Sequence, residues 1–303
     1  MSPQAGTCRG PRSIALMVCA ALGLAACAGQ GASDPQGPEA TQGVPPVASA
    51  ADFDPANFTR PTEVTNPWFP LEPGTRFTWE GHATEGVERV ERKVVFTVTD
   101  LTKVVNGVRT VVAWDRDFND GELAEIELAF FAQDDDGNVW HFGQYPEELE
   151  GKEIVKTPAW IAGLHGARAG ITMQAVPRLG TPSYAEGWGG SDVNWTDRGQ
   201  VYRLRQETCV PVDCYADVLV IDEFNPDEPD AHQLKYYARG VGGVRVGWRG
   251  TREEEREVMV LVSLEHLSPE QMDQVRREAL AQEARAYRLS PNVYGTTQPI
   301  DQS

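Results

Sequence analysis

The chain has 303 residues, with 45 Asp and Glu against 27 Lys and Arg, a formal charge of −18. That excess of negative charge repels phosphate backbones and anionic lipid surfaces, so nucleic acid and electrostatic membrane docking are excluded as primary functions. The same acidity favours solubility.

The first element is a secretory signal. Arg9 and Arg12 form a basic start, Ile14–Ala26 is an apolar run with small residues, and Leu24-Ala25-Ala26 offers small residues at a cleavage point. The run has 13 residues, too short for a bilayer span of about 20. Cys27, directly after Leu-Ala-Ala, resembles the lipobox of bacterial lipoproteins. That resemblance implies removal of residues 1–26, diacylation (palmitate among the acyl chains) at Cys27, and a protein anchored outside the cytoplasm. Ala28 rather than Asp at the second mature position suits the outer membrane, if the source has one. Losing residues 1–26, which carry two Arg and no acid, takes the formal charge from −18 to −20. The acyl chains, at about 0.8 kcal/mol per buried methylene, would supply the attachment.

Residues 27–50 comprise that Cys and a tether. Positions 28–50 are Gly, Ala, Ser, Pro, Gln and a few acids, which cannot bury enough apolar surface to offset their ordering entropy. A Gly-rich coil of this length spans roughly 25 Å. Residues 51–303 are expected to form one β-rich domain, a plausible size for a single all-β core.

Within it, Phe77 and Trp79 alternate with polar residues, and Val94, Phe96 and Val98 share one face of a strand. Asn106-Gly107 separates Val94–Val105 from Val108–Trp114, a strong hairpin signal. Asn119-Asp120-Gly121 and Asp135-Asp136-Gly137-Asn138 then lead into Leu123–Ala132 and Val139–Tyr145. Four strands joined by short turns predict an antiparallel meander. Residues 146–199, punctuated by Gly and Pro, read as an irregular glycine-rich cover. Strands resume at Val201–Glu207, Ala216–Phe224, Gln233–Ala238, Gly243–Trp248 and Arg256–Leu264. Cys209 and Cys214 flank the first of these turns. As the even pair left after the signal and Cys27 are set aside, they are expected to be bridged in an oxidising compartment. The last element is a helix, with Ser268 as cap, Pro269 in its first turn and Gln271 completing a capping box. Its narrow apolar stripe of Met272, Val275 and Ala279 should lie against the sheet. The fold expected is therefore mainly β: one twisted antiparallel sheet, a half-barrel or open barrel, with one C-terminal helix.

Six segments resemble a widespread group of uncharacterised bacterial exported proteins. They are Asn66-Pro67-Trp68-Phe69-Pro70-Leu71-Glu72-Pro73-Gly74-Thr75, Asp120–Leu123, Ala132–Gly143, Trp160–Ile171, Met173–Pro177 and Lys235-Tyr236-Tyr237-Ala238-Arg239-Gly240-Val241-Gly242. The resemblance spans Asn66 to Leu264 and implies export, but no particular activity. Ala185–Trp195 departs from the acidic stretch usual after the position of Tyr184.

Candidate chemistry is sparse. Asp115, Asp117, Asn119 and Asp120 invite calcium, but Asp120 stands where an EF-hand needs Gly and Ile126 where it needs Glu, so a solvated turn fits better. The His residues have no metal-ligand spacing, and alternation along Trp140-His141-Phe142 places His141 outward or at an edge. There is no Gly-x-Ser-x-Gly, and Ser183 and Ser191 read as turn residues. No catalytic residue, metal or cofactor is therefore expected. Trp160, Trp188 and Trp195, in the glycine-rich cover, are the candidate contacts for an apolar or carbohydrate-like ligand, against the alternative that they simply pack the core. The expected role is a membrane-tethered, non-enzymatic binding or envelope-associated lipoprotein; the competing class is an extracytoplasmic hydrolase or metal-dependent enzyme.

Overall fold

The computed structural model describes residues 49–190 and 193–301. The signal, Cys27 and the tether before residue 49 lie outside the described residues, as does Ser191.

The strands follow the turn chemistry. After β1 (Thr75–Glu85), the meander runs through β2 (Glu88–Val105), β3 (Val108–Asn119), β4 (Glu122–Gln133) and β5 (Val139–Glu150). Asn106 and Gly107 have φ of 47° and 83°, and Asp120 and Gly121 have 50° and 83°. Positive φ at both central residues is what a tight hairpin following the strand twist requires. The second half comprises β11 (Arg198–Cys209), β12 (Cys214–Phe224), β13 (His232–Ala238), β14 (Gly242–Arg249) and β15 (Val258–His266). β15 pairs with β1 and joins the two halves into one antiparallel sheet.

The stretch read as irregular is the main departure from expectation. It holds β6 (Glu153–Lys156), β7 (Trp160–Ile161), β8 (Arg168–Met173), β9 (Tyr184–Ala185) and β10 (Gly187–Trp188). β8 pairs with β5, and β10 with β8, while β9 pairs with β11 at the far end of the sheet. Five consecutive residues, 184–188, therefore bring the two ends of the sheet together. The half-barrel is drawn nearly closed, and the expected cover is its seam. These strands are two to six residues long, so no alternation long enough to read betrays them in the sequence.

Closure divides the apolar residues into two layers. Val98, Val111, Ala113, Ala129, Phe131, Val139, Met173, Leu219, Ile221, Val244 and Leu261 form a cluster drawn from both halves, which fixes the barrel interior. Val112, Trp114, Leu128, Phe130, Trp140 and Phe142 point the opposite way, beneath the helix α1 (Pro269–Leu289) and the N-terminal Phe58. The meander is buried on both faces.

The capping box on α1 is formed by Ser268 and Gln271. Met272, Val275, Ala279 and Ala286 are buried, but the helix is held largely by polar contacts. Gln282 accepts from Trp114 Nε1 at 3.0 Å and donates to the carbonyls of Ile126 at 2.9 Å and Tyr145 at 3.2 Å. Arg285 pairs with Glu147 at 2.7 Å and Arg276 with Asp100 at 2.8 Å. These bonds place a narrow-striped helix on a broad apolar sheet. No helix among the described residues is long and apolar enough to cross a membrane.

Candidate functional site

The seam exists because glycines let backbone and rings approach. A Cβ on Gly170 would lie 2.2 Å from the Gly187 nitrogen, and one on Gly143 would lie 2.3 Å from the Trp160 carbonyl oxygen. At Gly187 it would meet Trp195 Cζ3 at 2.5 Å and Trp160 Cη2 at 2.6 Å. At Gly199 it would occupy space taken by the Tyr184 ring and the Glu186 carboxylate. Glycine is needed at these positions because its side chain is absent.

Two of the three candidate tryptophans meet here. Trp160 and Trp195 are buried with ring centroids 4.8 Å apart. His141 lies 4.9 Å from Trp160 and 5.4 Å from Trp195 and stacks on Phe131 at 4.8 Å. Trp188 stands apart at 39% exposure, with the Arg168 guanidinium 5.7 Å from its ring centre. The placement of His141 corrects the sequence reading. Alternation does set it opposite Trp140 and Phe142, but both faces of β5 are covered, so His141 is 3% exposed within the barrel. Burial lowers its pKa to about 3, against a weaker opposing bond to the Gly143 backbone. The ring is neutral at physiological pH. Its Nε2 and the Nε1 atoms of Trp160 and Trp195 have no hydrogen-bond partner.

Beside this aromatic group runs a buried polar belt. Glu186, between β9 and β10, is 2% exposed, and its Oε1 has no partner. Burial raises its pKa well above the ordinary carboxylate range, and repulsion from Glu223 and Asp197 raises it further. Asp197 shows the same direction for the same first cause. Its Oδ1 accepts from Asn225 at 3.3 Å while Oδ2 has no partner. The Tyr184 hydroxyl, raised by burial and then by Glu186, also lacks a partner. Glu223 pairs with Lys235 at 3.4 Å. Burial pulls the Lys235 ammonium down, but Glu223, Glu257 and Glu186 together raise it above its ordinary value. On β3 and β4, burial raises Asp115 to about 6 and Glu127 well above the carboxylate range.

Chemically, the belt stores protons on carboxyls and presents both donors and acceptors. It does not assemble a nucleophile with a base. His141 is too weakly basic for that work, and the Ser183 hydroxyl accepts from Arg198 Nε at 2.9 Å. Cys209 and Cys214 are bridged, with Cα atoms 4.0 Å apart at the end of the β11–β12 hairpin. Asp115 and Asp117 lie in β3, ahead of a two-residue turn, rather than around a cation loop. Among the described residues no group of three or more His, Cys, Asp or Glu is placed to hold a metal ion.

The sequence did carry one signal for the missed acids. Asp115 and Asp117 continue the inward row of Val111 and Ala113, and Glu125 and Glu127 precede inward Ala129 and Phe131 in the same phase. Carboxylates on the apolar phase of a strand mark a polar interior. Nothing comparable marks Glu186 or Asp197.

The fold and site thus define a nearly closed antiparallel β-barrel with one C-terminal helix and a buried acidic seam. No protein-family profile and no characterised protein matches the sequence. Among solved structures, a candidate exported protein with a YmcC-like fold from Bacteroides fragilis is 13% identical, covering 65% of this chain and 98% of its own at a TM-score of 0.37. A candidate lipoprotein from Parabacteroides distasonis is 11% identical, covering 66% of this chain and 99% of its own at a TM-score of 0.29. Neither likeness reaches the level of a shared topology.

Proposed function

We infer that this is an exported lipoprotein, anchored through acyl chains on Cys27, whose barrel binds a small ligand without chemical turnover. Two features support export: the Arg9-to-Cys27 signal pattern and the Cys209–Cys214 bridge, which suits an oxidising compartment. The binding role rests on one observation, the concentration of partnerless buried polar atoms at the seam. The Nε1 atoms of Trp160 and Trp195 and the Tyr184 hydroxyl can donate; His141 Nε2, Glu186 Oε1 and Asp197 Oδ2 can accept. Native proteins satisfy nearly all such atoms, and each orphan costs about 1–3 kcal/mol. A hydroxyl-rich, carbohydrate-like ligand donates and accepts from the same groups and so matches this mixture.

Mass spectrometry of protein purified from native membranes tests both parts. The expected mass carries a diacylglyceryl group on Cys27, absent from Cys27→Ser, and a co-purifying small molecule. That molecule should be lost from Trp160→Phe, which removes the Nε1 donor, and from Glu186→Gln, which replaces one carboxyl oxygen with an amide nitrogen. An unmodified Cys27 overturns the anchoring. Retention of the same molecule by both seam variants overturns the site.

A further inference from the structure

A second feature, remote from the seam, lies on the outer face of the sheet. Between α1 and the β3–β4 hairpin is a cleft of about 340 Å³, with a floor of Trp114, Phe118, Leu123 and Ile126. A smaller hollow of about 160 Å³ adjoins it and shares Trp114, Arg116 and Glu278. The larger cleft falls at the low end of small-ligand pockets, about 300–1,000 Å³.

Arg116 is what gives the cleft a chemistry. Its guanidinium lies 4.4 Å from the centre of the Trp114 ring. Its Nε is buried without a hydrogen-bond partner. Among the described residues no carboxylate forms an ion pair with its guanidinium, and Glu278 and Asp115 offset its charge only at longer range. Arg285 is engaged by Glu147, Arg76 donates to Thr97 and approaches Glu265 at 3.8 Å, and Glu278 accepts from Gln274 at 2.8 Å. Asp115, on the same strand, has its Oδ1 bonded to the Arg116 backbone N–H. Burial and then Arg76 lower the Arg116 pKa, and the opposing pull of Glu278 and Asp115 does not make up the difference. In a chain of net charge −18, an unmatched half-buried Arg over an apolar floor calls for explanation.

We propose that this cleft binds an amphiphilic monocarboxylate, its carboxylate on the Arg116 fork and its apolar tail along Trp114, Phe118, Leu123 and Ile126. A planar guanidinium matches a carboxylate through two parallel hydrogen bonds, which a cation or an alcohol cannot reproduce. The apolar walls select against a carboxylate lacking a tail. Arg76 adds attraction, and Glu278 opposes the ligand charge.

The test uses the full chain bearing Cys27→Ser, free of acyl chains, titrated calorimetrically with dodecanoate below its micelle concentration. Saturable one-site binding is expected. Dodecyltrimethylammonium and acetate should bind at least tenfold more weakly, although the net charge of the protein favours the cation. Arg116→Ala should weaken dodecanoate at least tenfold. Glu278→Gln should tighten it two- to fivefold, a gain that misfolding does not produce. Absence of saturable binding overturns the proposal. So does equal affinity for the cationic amphiphile, an unchanged Arg116→Ala, or weaker binding by Glu278→Gln. Seam variants Trp160→Phe and Glu186→Gln should leave dodecanoate affinity unaltered, which separates this site from the barrel interior.

Discussion

The attachment of α1 to the sheet depends on a buried ion pair whose removal has a calculable signature. Lys103 on β2 is fully buried, 3.1 Å from Glu283 Oε1, and it also donates to the Gln298 carbonyl and lies 4.4 Å from the centre of the Tyr294 ring. Glu283 Oε1 accepts in addition from the Ile300 N–H at 2.9 Å and from the hydroxyls of Tyr294 at 3.2 Å and Tyr287 at 3.3 Å. Glu283→Gln keeps an oxygen for the neutral donors and removes the charge. Breaking one side of a buried pair costs about 3–5 kcal/mol. Burial pulls the Lys103 pKa down and Glu283 opposes that pull, so the variant drives Lys103 toward the neutral amine. Deprotonation against an unfolded value of about 10.4 caps the cost at pH 7 near 5 kcal/mol. The sign with pH follows: the unfolded chain then binds the extra proton, so the variant regains about 1.4 kcal/mol per unit as pH rises from 7 to 9. Lys103→Met combined with Glu283→Gln should return to within about 1 kcal/mol of the parent, since no buried charge is then left uncompensated and the new amide keeps an oxygen for the Ile300, Tyr294 and Tyr287 donors. Urea denaturation of the four proteins of the cycle at pH 7, 8 and 9 measures all of this. A Glu283→Gln penalty below 1 kcal/mol, or a double variant as damaged as the sum of its parts, would refute the reasoning.

The seam should respond sharply to size. Gly187→Ala forces a methyl to within 2.6 Å of both indoles, and overpacking of this kind costs about 1–3 kcal/mol; thermal melting at the parent temperature would disprove it. The interior carboxyls should make the protein more stable in mild acid. Asp115 at about 6, and Glu127, Glu186 and Asp197 well above the carboxylate range, hold protons more tightly folded than unfolded, so stability present near pH 4–5 is lost as pH rises through the folded values. A melting temperature that climbs from pH 5 to pH 8 contradicts this, and Glu127→Gln should flatten the profile. Reducing Cys209–Cys214, which closes only a short loop, should cost about 2 kcal/mol on chain-entropy grounds, read as a shift of the urea midpoint with dithiothreitol.

What the sequence discloses and what it conceals divide along a physical line. Hairpins such as Asn106-Gly107 are legible because their chemistry is local: two residues at positive φ join strands whose alternation runs for ten residues or more. The helix is legible for the same reason, through Ser268 and Gln271. The seam is not local. Tyr184–Ala185 and Gly187–Trp188 become strands only because β11 and β8 arrive from opposite ends of the sheet, and two-residue strands have no periodicity to read. Gly143, Gly170, Gly187 and Gly199 therefore resemble loop punctuation in the sequence, whereas in the fold each marks a place where another backbone or ring passes within about 3 Å. Strand alternation alone misplaces His141, because an open sheet leaves one face of β5 to water whereas here the sheet curls and a helix covers its back. Closure is thus the step that creates the candidate site. It carries Glu186 and Asp197 inward from positions indistinguishable from surface loop acids, and it traps the indoles of Trp160 and Trp195 beside them. A substitution that opens the seam, such as Gly187→Ala, should therefore relax the raised carboxyl pKa values together with the stability, and no purely local role for those acids links the two.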